Sequence, residues 1–400
     1  MLKKLITTYK LHLIVMIGTN LAGLINFAFS LILFKIATEE SFNLYSALAS
    51  YLVIISTPGD LIKKLSTSFG EPIKDALGFY LKKTDKKILM IFSLILILGL
   101  SSFVATTTGA SLASASLLIC AVIIGLYSAI LSGLLQNKQE FFYTSVIAVI
   151  QSTLKIGLGL ILFLTIGDIG IWITLYITSV ITALSLRILS QKYTNTKPEI
   201  VSTSAKINKK DLLTNLFLIL VLEILLNADS IIAINKLDSA HAYIYNSLSL
   251  VRKTMLFSLL GFSSIILSES RRLEVNKIRM LIKNISITFV IGGAISLMFI
   301  FFKPIVLTYL KLDNGYTVLY LKFILSSLLF VILLMSTIWF TALKSIPIRI
   351  IIGCVILIFS ILYYFLFDTI EQAINYQLFG IIAILAIQFV VILFKINKRT

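Results

Sequence analysis

The residues of this sequence with chemistry to offer are charged and amide side chains set inside long apolar runs. Lys155 stands in the run from 141 to 164, near mid-bilayer at a rise of about 1.5 Å per residue, and Gln151 precedes it by one helical turn on the same face. Glu223 lies in the run from 211 to 235, and Arg252 and Lys253 lie in the next, 240 to 267, at a matching distance from their shared link. Antiparallel neighbours would then pair Glu223 with the two cations. Asp229 is closer to the end of its run, among Asn227 and Ser230. Asp60 follows Pro58-Gly59, with Lys63 beyond it. A charge at mid-membrane costs from about 2.5 kcal/mol upward, so each of these groups faces protein or a wet cavity. Two arrangements meet that demand. In one, Lys155, Gln151, Arg252, Lys253 and Lys63 line a hydrated, cation-rich cavity for an anionic substrate, with Glu223, Asp229 and Asp60 as ion-coupling groups. In the other, the acids and bases pair and lock helices together.

The elements that must position these residues follow from composition. Of 400 residues, 58% are hydrophobic and 13% are charged, with a mean hydropathy of +1.01. In water such a chain would carry an apolar surface, so the bilayer is its solvent. A span takes about 20 apolar residues, which leaves room for about twelve. The net charge of +17 would suggest a nucleic-acid partner in a soluble protein, but here the cations sit in short links between apolar runs and report topology instead. Cys120 and Cys354 lie in apolar runs without metal-ligand spacing, and His12 and His241 are far apart, so neither a metal nor a redox site is expected and the cysteines read as buried thiols. The first apolar stretch is too long for a signal peptide and reads as an uncleaved span.

Apolar runs place spans near 12 to 36, 41 to 67, 88 to 106, 111 to 135, 141 to 164 and 168 to 190. A second set falls near 211 to 235, 240 to 267, 284 to 306, 314 to 342, 346 to 367 and 373 to 394. Most of the 35 lysines and arginines, including Lys344 and Arg349, fall in alternate links and at both ends, which puts both termini on the cytoplasmic side. The expected architecture is therefore an all-α polytopic membrane protein of about twelve transmembrane helices: an N-terminal six-helix bundle (1–190), a cytoplasmic linker (191–210) and a C-terminal six-helix bundle (211–400). A faint repeat supports two pseudo-symmetric halves. Asn26 to Lys35 aligns with Asn227 to Lys236, and Leu44-Tyr45-Ser46-Ala47-Leu48 aligns with Ile244-Tyr245-Asn246-Ser247-Leu248.

Aromatic residues near span ends, namely Tyr309, Tyr316, Tyr320, Trp339 and Phe340, fit interfacial belts, and Lys322 is close enough to the outer interface to snorkel. The chain lacks a Walker-type Gly-Lys-Ser/Thr loop, and its outer links are short, without paired carboxylates or histidine for acid–base work. An enzyme and a bound cofactor are not expected.

Twelve spans in two halves, each with a tyrosine at the start of its second span, resemble oligosaccharide flippases of the multidrug and polysaccharide exporter superfamily. The stretch Leu33-Phe34-Lys35-Ile36-Ala37 to Tyr45-Ser46-Ala47-Leu48 is similar to that family's first turn, with Asn43-Leu44 where a glycine often stands. The run Asn227-Ala228-Asp229-Ser230-Ile231-Ile232 is similar to its seventh span. The resemblance implies a MATE-like fold that flips an undecaprenyl-diphosphate-type lipid-linked oligosaccharide across a bacterial inner membrane by alternating access. The product would feed surface polysaccharide of the O-antigen or capsule kind, with membrane lipids and polysaccharide assembly proteins as partners. An ion-coupled exporter of small cationic compounds on the same fold is the alternative, and a membrane-embedded polysaccharide polymerase a more distant one.

Overall fold

The computed structural model describes residues 2–69, 86–138, 140–194, 209–270, 277–341 and 345–397. The linker and many of the basic links fall largely outside them. Among the described residues the chain forms thirteen α-helices and one 3-10 turn. They are α1 (Leu2–Ile36), α2 (Glu39–Phe69), α3 (Lys86–Thr108), α4 (Leu112–Asn137), α5 (Phe141–Ile166) and α6 (Asp168–Thr194), then α7 (Lys209–Lys236), α8 (Ser239–Ser270), α9 (Lys277–Phe301), the short α10 (Lys303–Tyr309), α11 (Thr317–Thr341), α12 (Ile346–Leu366) and α13 (Ile370–Asn397). Each of the twelve expected spans coincides with one of the long helices. Eight of them (α4 to α7, α9 and α11 to α13) are individually long and apolar enough to cross a membrane, and α1 and α3 add shorter apolar stretches, Leu21–Ile36 and Leu94–Thr108.

Large apolar side chains also cover the outer helix faces while polar groups are buried beside apolar ones, which is the mark of a lipid solvent. The buried residues of α5 are Thr144, Ser145, Ser152 and Gly159, whereas its Phe142, Ile150, Ile161 and Leu164 are exposed. Small and hydroxylic residues allow close helix contact where lipid offers no hydrophobic drive for association. The second helix of each set, α2 and α8, is among the least apolar and buries Asn43, Ser46, Ser50 and Thr57, and Asn246, Ser247, Ser249 and Arg252, respectively.

The chain divides into two compact units, Met1–Ala37 with Ala47–Lys206, and Thr38–Ser46 with Ile207–Thr400. Within the first, α1 packs on α5, α5 on α6, α4 on α6 and α3 on α4; within the second, α7 packs on α12, α12 on α13, α11 on α13 and α9 on α11. The order of pairings is the same, first with fifth, fifth with sixth, fourth with sixth and third with fourth. The repeat extends to side chains. Asn26 Nδ2 donates to the Ala22 carbonyl at 2.9 Å, and Asn227 Nδ2 to the Glu223 carbonyl at 3.0 Å. Thr38 Oγ1 accepts from the Ser41 N–H at 3.2 Å, and Asp238 Oδ1 from the His241 N–H at 2.9 Å, so both second helices begin with a side-chain cap.

The second unit gains from the start of α2. Phe42 meets Tyr243 edge-on at 5.8 Å, Asn43 Nδ2 donates to the Ser239 carbonyl, and Asn246 Nδ2 donates to Asn43 Oδ1, both at 2.9 Å. Capping by the His241 backbone N–H, and then by its side chain, holds the Asp238 carboxyl below the ordinary carboxylate value. This cap is complete above about pH 4 and is lost as pH falls through the lowered folded value. Protection factors for amide exchange in the first turn of α8, taken relative to the intrinsic rate at each pH, should therefore fall on acidification, and Asp238→Asn should flatten that dependence. An unchanged pH profile in the variant would show that the cap titrates elsewhere.

The core of the second unit centres on α11, fifteen of whose residues are buried. Three belt expectations fail there. Tyr320 is buried with its hydroxyl donating to the Phe299 carbonyl at 2.9 Å, and Trp339 and Phe340 are buried edge-to-face at 5.2 Å. A helix surrounded by others has no lipid interface to anchor, so its terminal aromatics pack as core. Cys354 is exposed on α12 and is not the buried thiol expected; Cys120 is partly buried, and both are unbridged. Lys322 makes an ion pair with Glu371 at 2.8 Å.

Candidate functional site

The first candidate lies where α5 crosses α1. Gly159 opens the crossing, because a Cβ there would sit 2.9 Å from Phe29 Cζ, and this close approach brings the Ser152–Lys155 face onto Asn26. Asn26 Nδ2 donates to Ser152 Oγ at 3.0 Å, leaving its Oδ1 to accept from Lys155 Nζ at 3.3 Å. The ammonium also stands over the Phe29 ring, 5.5 Å from its centroid. A ring quadrupole and an amide dipole ease the burial of the charge without neutralising it. Among the described residues no carboxylate pairs with Lys155, which is half-buried. Gln151, one turn earlier, is half-buried and stands outside these bonds.

The second candidate, in the other unit, has the opposite character. Arg252, 1% exposed, makes an ion pair with Asp229, 3% exposed, and its guanidinium lies between the rings of Phe323 and Phe330, 5.2 and 4.9 Å from their centroids. Tyr245 Oη donates to Asp229 Oδ2 at 2.8 Å and lies 3.1 Å from Tyr363 Oη, while Gln377 Nε2 donates to Tyr245 Oη at 3.4 Å. The expected partner of Arg252, Glu223, is thus replaced by Asp229, nearly two turns along the same helix. Glu223 Oε2 instead accepts from Asn227 Nδ2 at 2.9 Å. An amide one turn away on the same helix reaches Glu223 without crossing to a neighbour. In this conformation Arg252 is a dry, paired group and does not line a cavity; Lys253 beside it is half-buried.

Asp60 and Lys63 join neither cluster. The helix runs unbroken through Pro58, with Ser56 and Thr57 hydroxyls donating to the Val53 carbonyl at 3.0 and 3.1 Å. Gly59 faces α4, where an added Cβ would lie 3.2 Å from Leu126, and Asp60 is exposed. Lys63 is half-buried.

Sequence reasoning assigned no site role to Asn26, Ser152, Tyr363 or Gln377. An isolated amide in an apolar run carries the same signal as an isolated charge, and that signal marks both Asn26 and Gln377. It also marks Gln388, whose amide accepts from Ser336 at 2.6 Å and donates to Thr337 at 2.9 Å, tying α13 to α11. Arg349, counted as a topological cation, is fully buried; it makes an ion pair with Asp211 and donates to Asn215 Oδ1 at 2.6 Å. Gly353 lies one turn further along α12, packed on Phe217 of α7, and this close approach buries the guanidinium.

No protein-family profile matches the sequence, and no curated protein matches it. Solved structures do. A MATE protein in complex with MaD5 superposes with a TM-score of 0.68 at 16% identity, over 98% of this chain and 96% of that one. A MOP-superfamily transporter from Pyrococcus furiosus, described as having a binding pocket of reversed polarity that suggests a different function, matches with a TM-score of 0.68 at 15% identity, over 97% and 95%. A multidrug resistance MATE family transporter matches in its inward-facing conformation with a TM-score of 0.65 at 16% identity, over 97% and 94%. With its helices paired in this order and its length almost wholly superposable on these transporters, the chain is a multi-pass membrane protein with the fold of MATE transporters.

Proposed function

We propose that this protein is a flippase that moves a polyprenyl-diphosphate-linked oligosaccharide from the cytoplasmic to the outer leaflet of a bacterial inner membrane by alternating access, with both termini cytoplasmic. The observation that carries this reading is Lys155, a half-buried intramembrane cation that no described carboxylate neutralises. Such a charge is costly in hydrocarbon, and an arriving phosphate would supply the missing counter-ion. A sugar head cannot cross the bilayer unaided, since its hydroxyls and diphosphate would lose their hydrogen bonds to water. Asn26 and Ser152 add neutral hydrogen-bonding groups beside the cation. Lys253 and Lys63, both half-buried, are further candidates for anion contact, whereas Arg252 reads as a helix lock.

The same fold hosts proteins described as multidrug resistance transporters, which favours export of small compounds as the second reading. An unneutralised lysine in the first unit weighs against cationic cargo. The fold similarity to transporters likewise weighs against a polymerase.

Lys155→Ala should reduce surface polysaccharide at least tenfold at equal protein level, and Lys155→Arg should retain a substantial part of it. Lys155→Glu should abolish it, because a carboxylate there repels the diphosphate. Normal polysaccharide in Lys155→Glu would end the anion reading; raised drug susceptibility with normal polysaccharide would favour the exporter.

A further inference from the structure

Asn26 meets Lys155 with its oxygen, and the orientation of that amide is fixed from the side away from the lysine. Its Nδ2 donates to the Ala22 carbonyl at 2.9 Å and to Ser152 Oγ at 3.0 Å, which occupies both N–H bonds. Oδ1 is left for the ammonium, at 3.3 Å. Ser152 is held in turn, its hydroxyl donating to the Ala148 carbonyl at 3.0 Å. The repeated helix of the second unit carries two acids that α1 lacks. With Asn26 set on Asn227, Ala22 falls on Glu223 and Ala28 on Asp229. Bonding supports that register, since each asparagine donates to the carbonyl four residues before it. In the second unit Glu223 accepts from Asn227, and Asp229 neutralises Arg252. In the first, the asparagine remains, both acids are replaced by alanine, and the cation it meets keeps its charge.

We infer that Asn26 determines the charge specificity of the Lys155 site: as an amide it steers the ammonium and leaves its charge for an anionic cargo, whereas a carboxylate of the same shape would cancel that charge and close the site. Asn26 acts through Lys155 and is a positioning residue. The inference rests on the reading that Lys155 meets the diphosphate.

The test sets Asn26→Asp, which keeps the shape and adds a charge, against Asn26→Ala, which removes the contact. Surface polysaccharide is measured at matched level of the full-length protein, beside Lys155→Glu. Asn26→Asp should lower it at least about tenfold, the worth of one charge-assisted contact, and Asn26→Ala only about threefold, the worth of a neutral one. A residue that merely shapes the helix crossing gives the reverse order, because the isostere keeps the packing that alanine removes. Should Asn26→Asp not accumulate, Ser152→Asp sets a carboxylate three residues before Lys155 on α5 and should give the same loss. Alanine as damaging as aspartate, or more so, would overturn the inference, as would failure of both aspartate variants to accumulate. Normal polysaccharide in Asn26→Asp with none in Lys155→Glu would overturn it too, and leave the anion reading standing. Normal polysaccharide in Lys155→Glu would end both.

Discussion

Asp229→Ala lowers the stability of the second unit by about 3–5 kcal/mol, because it strands the Arg252 guanidinium in a dry interior with no counter-charge. Arg252 cannot escape to water: it is 1% exposed, and two aromatic rings enclose it. The Tyr245 hydroxyl loses its acceptor at the same time. The melting temperature should fall by on the order of 10 °C. Asp229→Asn should cost less, since an amide oxygen still accepts from Tyr245 and Arg252. The pair itself is not the source of net stability, because desolvating two ions offsets most of their attraction. The double variant Asp229→Leu, Arg252→Met should therefore recover most of the loss. A single alanine variant as stable as wild type would show that water reaches the pair and that it is not a lock.

The second large effect concerns the tight turn between α5 and α6. Gly167 has a φ of 74°, and its N–H donates to the Phe163 carbonyl at 2.9 Å. Gly170, in the first turn of α6, then lies against the end of α5, where an added Cβ would fall on the Leu162 carbonyl. Backbone cannot swing aside as a side-chain tip can, so the helices would have to separate. The first of them, α5, also crosses α1 and sets Lys155 on Asn26. Gly170→Val should cost about 3 kcal/mol, at the upper end of overpacking, and should lower the proposed flippase activity with it. Gly125 in α4 has open space around its Cβ position, so Gly125→Ala should be neutral or stabilise by up to about 1 kcal/mol. Equal melting temperatures for the two variants would mean that the turn is not tightly packed.

Much of the candidate chemistry was legible because membranes make polar residues expensive. Lys155, Glu223, Asp229 and Arg252 were all marked by their isolation in apolar runs. Their partners were not. Depth along a helix can be counted from sequence, but rotation about its axis depends on which neighbour it packs against. The match in depth between Glu223 and Arg252 pointed to the wrong carboxylate for this reason: the α7 face that meets α8 carries Asp229. Asn26 was noticed as one end of a repeat, yet its contact with Lys155 exists only because Gly159 lets α5 press onto Phe29.

By itself the sequence determined that the chain lives in lipid, that it does so as helices near the predicted spans, and which few charged groups stand inside its apolar runs. Hydropathy and helix period are local properties, and in a bilayer every backbone group must be satisfied within its own helix. Tertiary structure alone decided which charges are neutralised. It also turned Trp339 and Phe340 from membrane-interface residues into core, and buried Arg349 with Asp211. Those outcomes depend on contacts between residues as far apart as Asn26 and Lys155 or Asp211 and Arg349, and such contacts are set by how closely two helices approach and which faces they turn to each other.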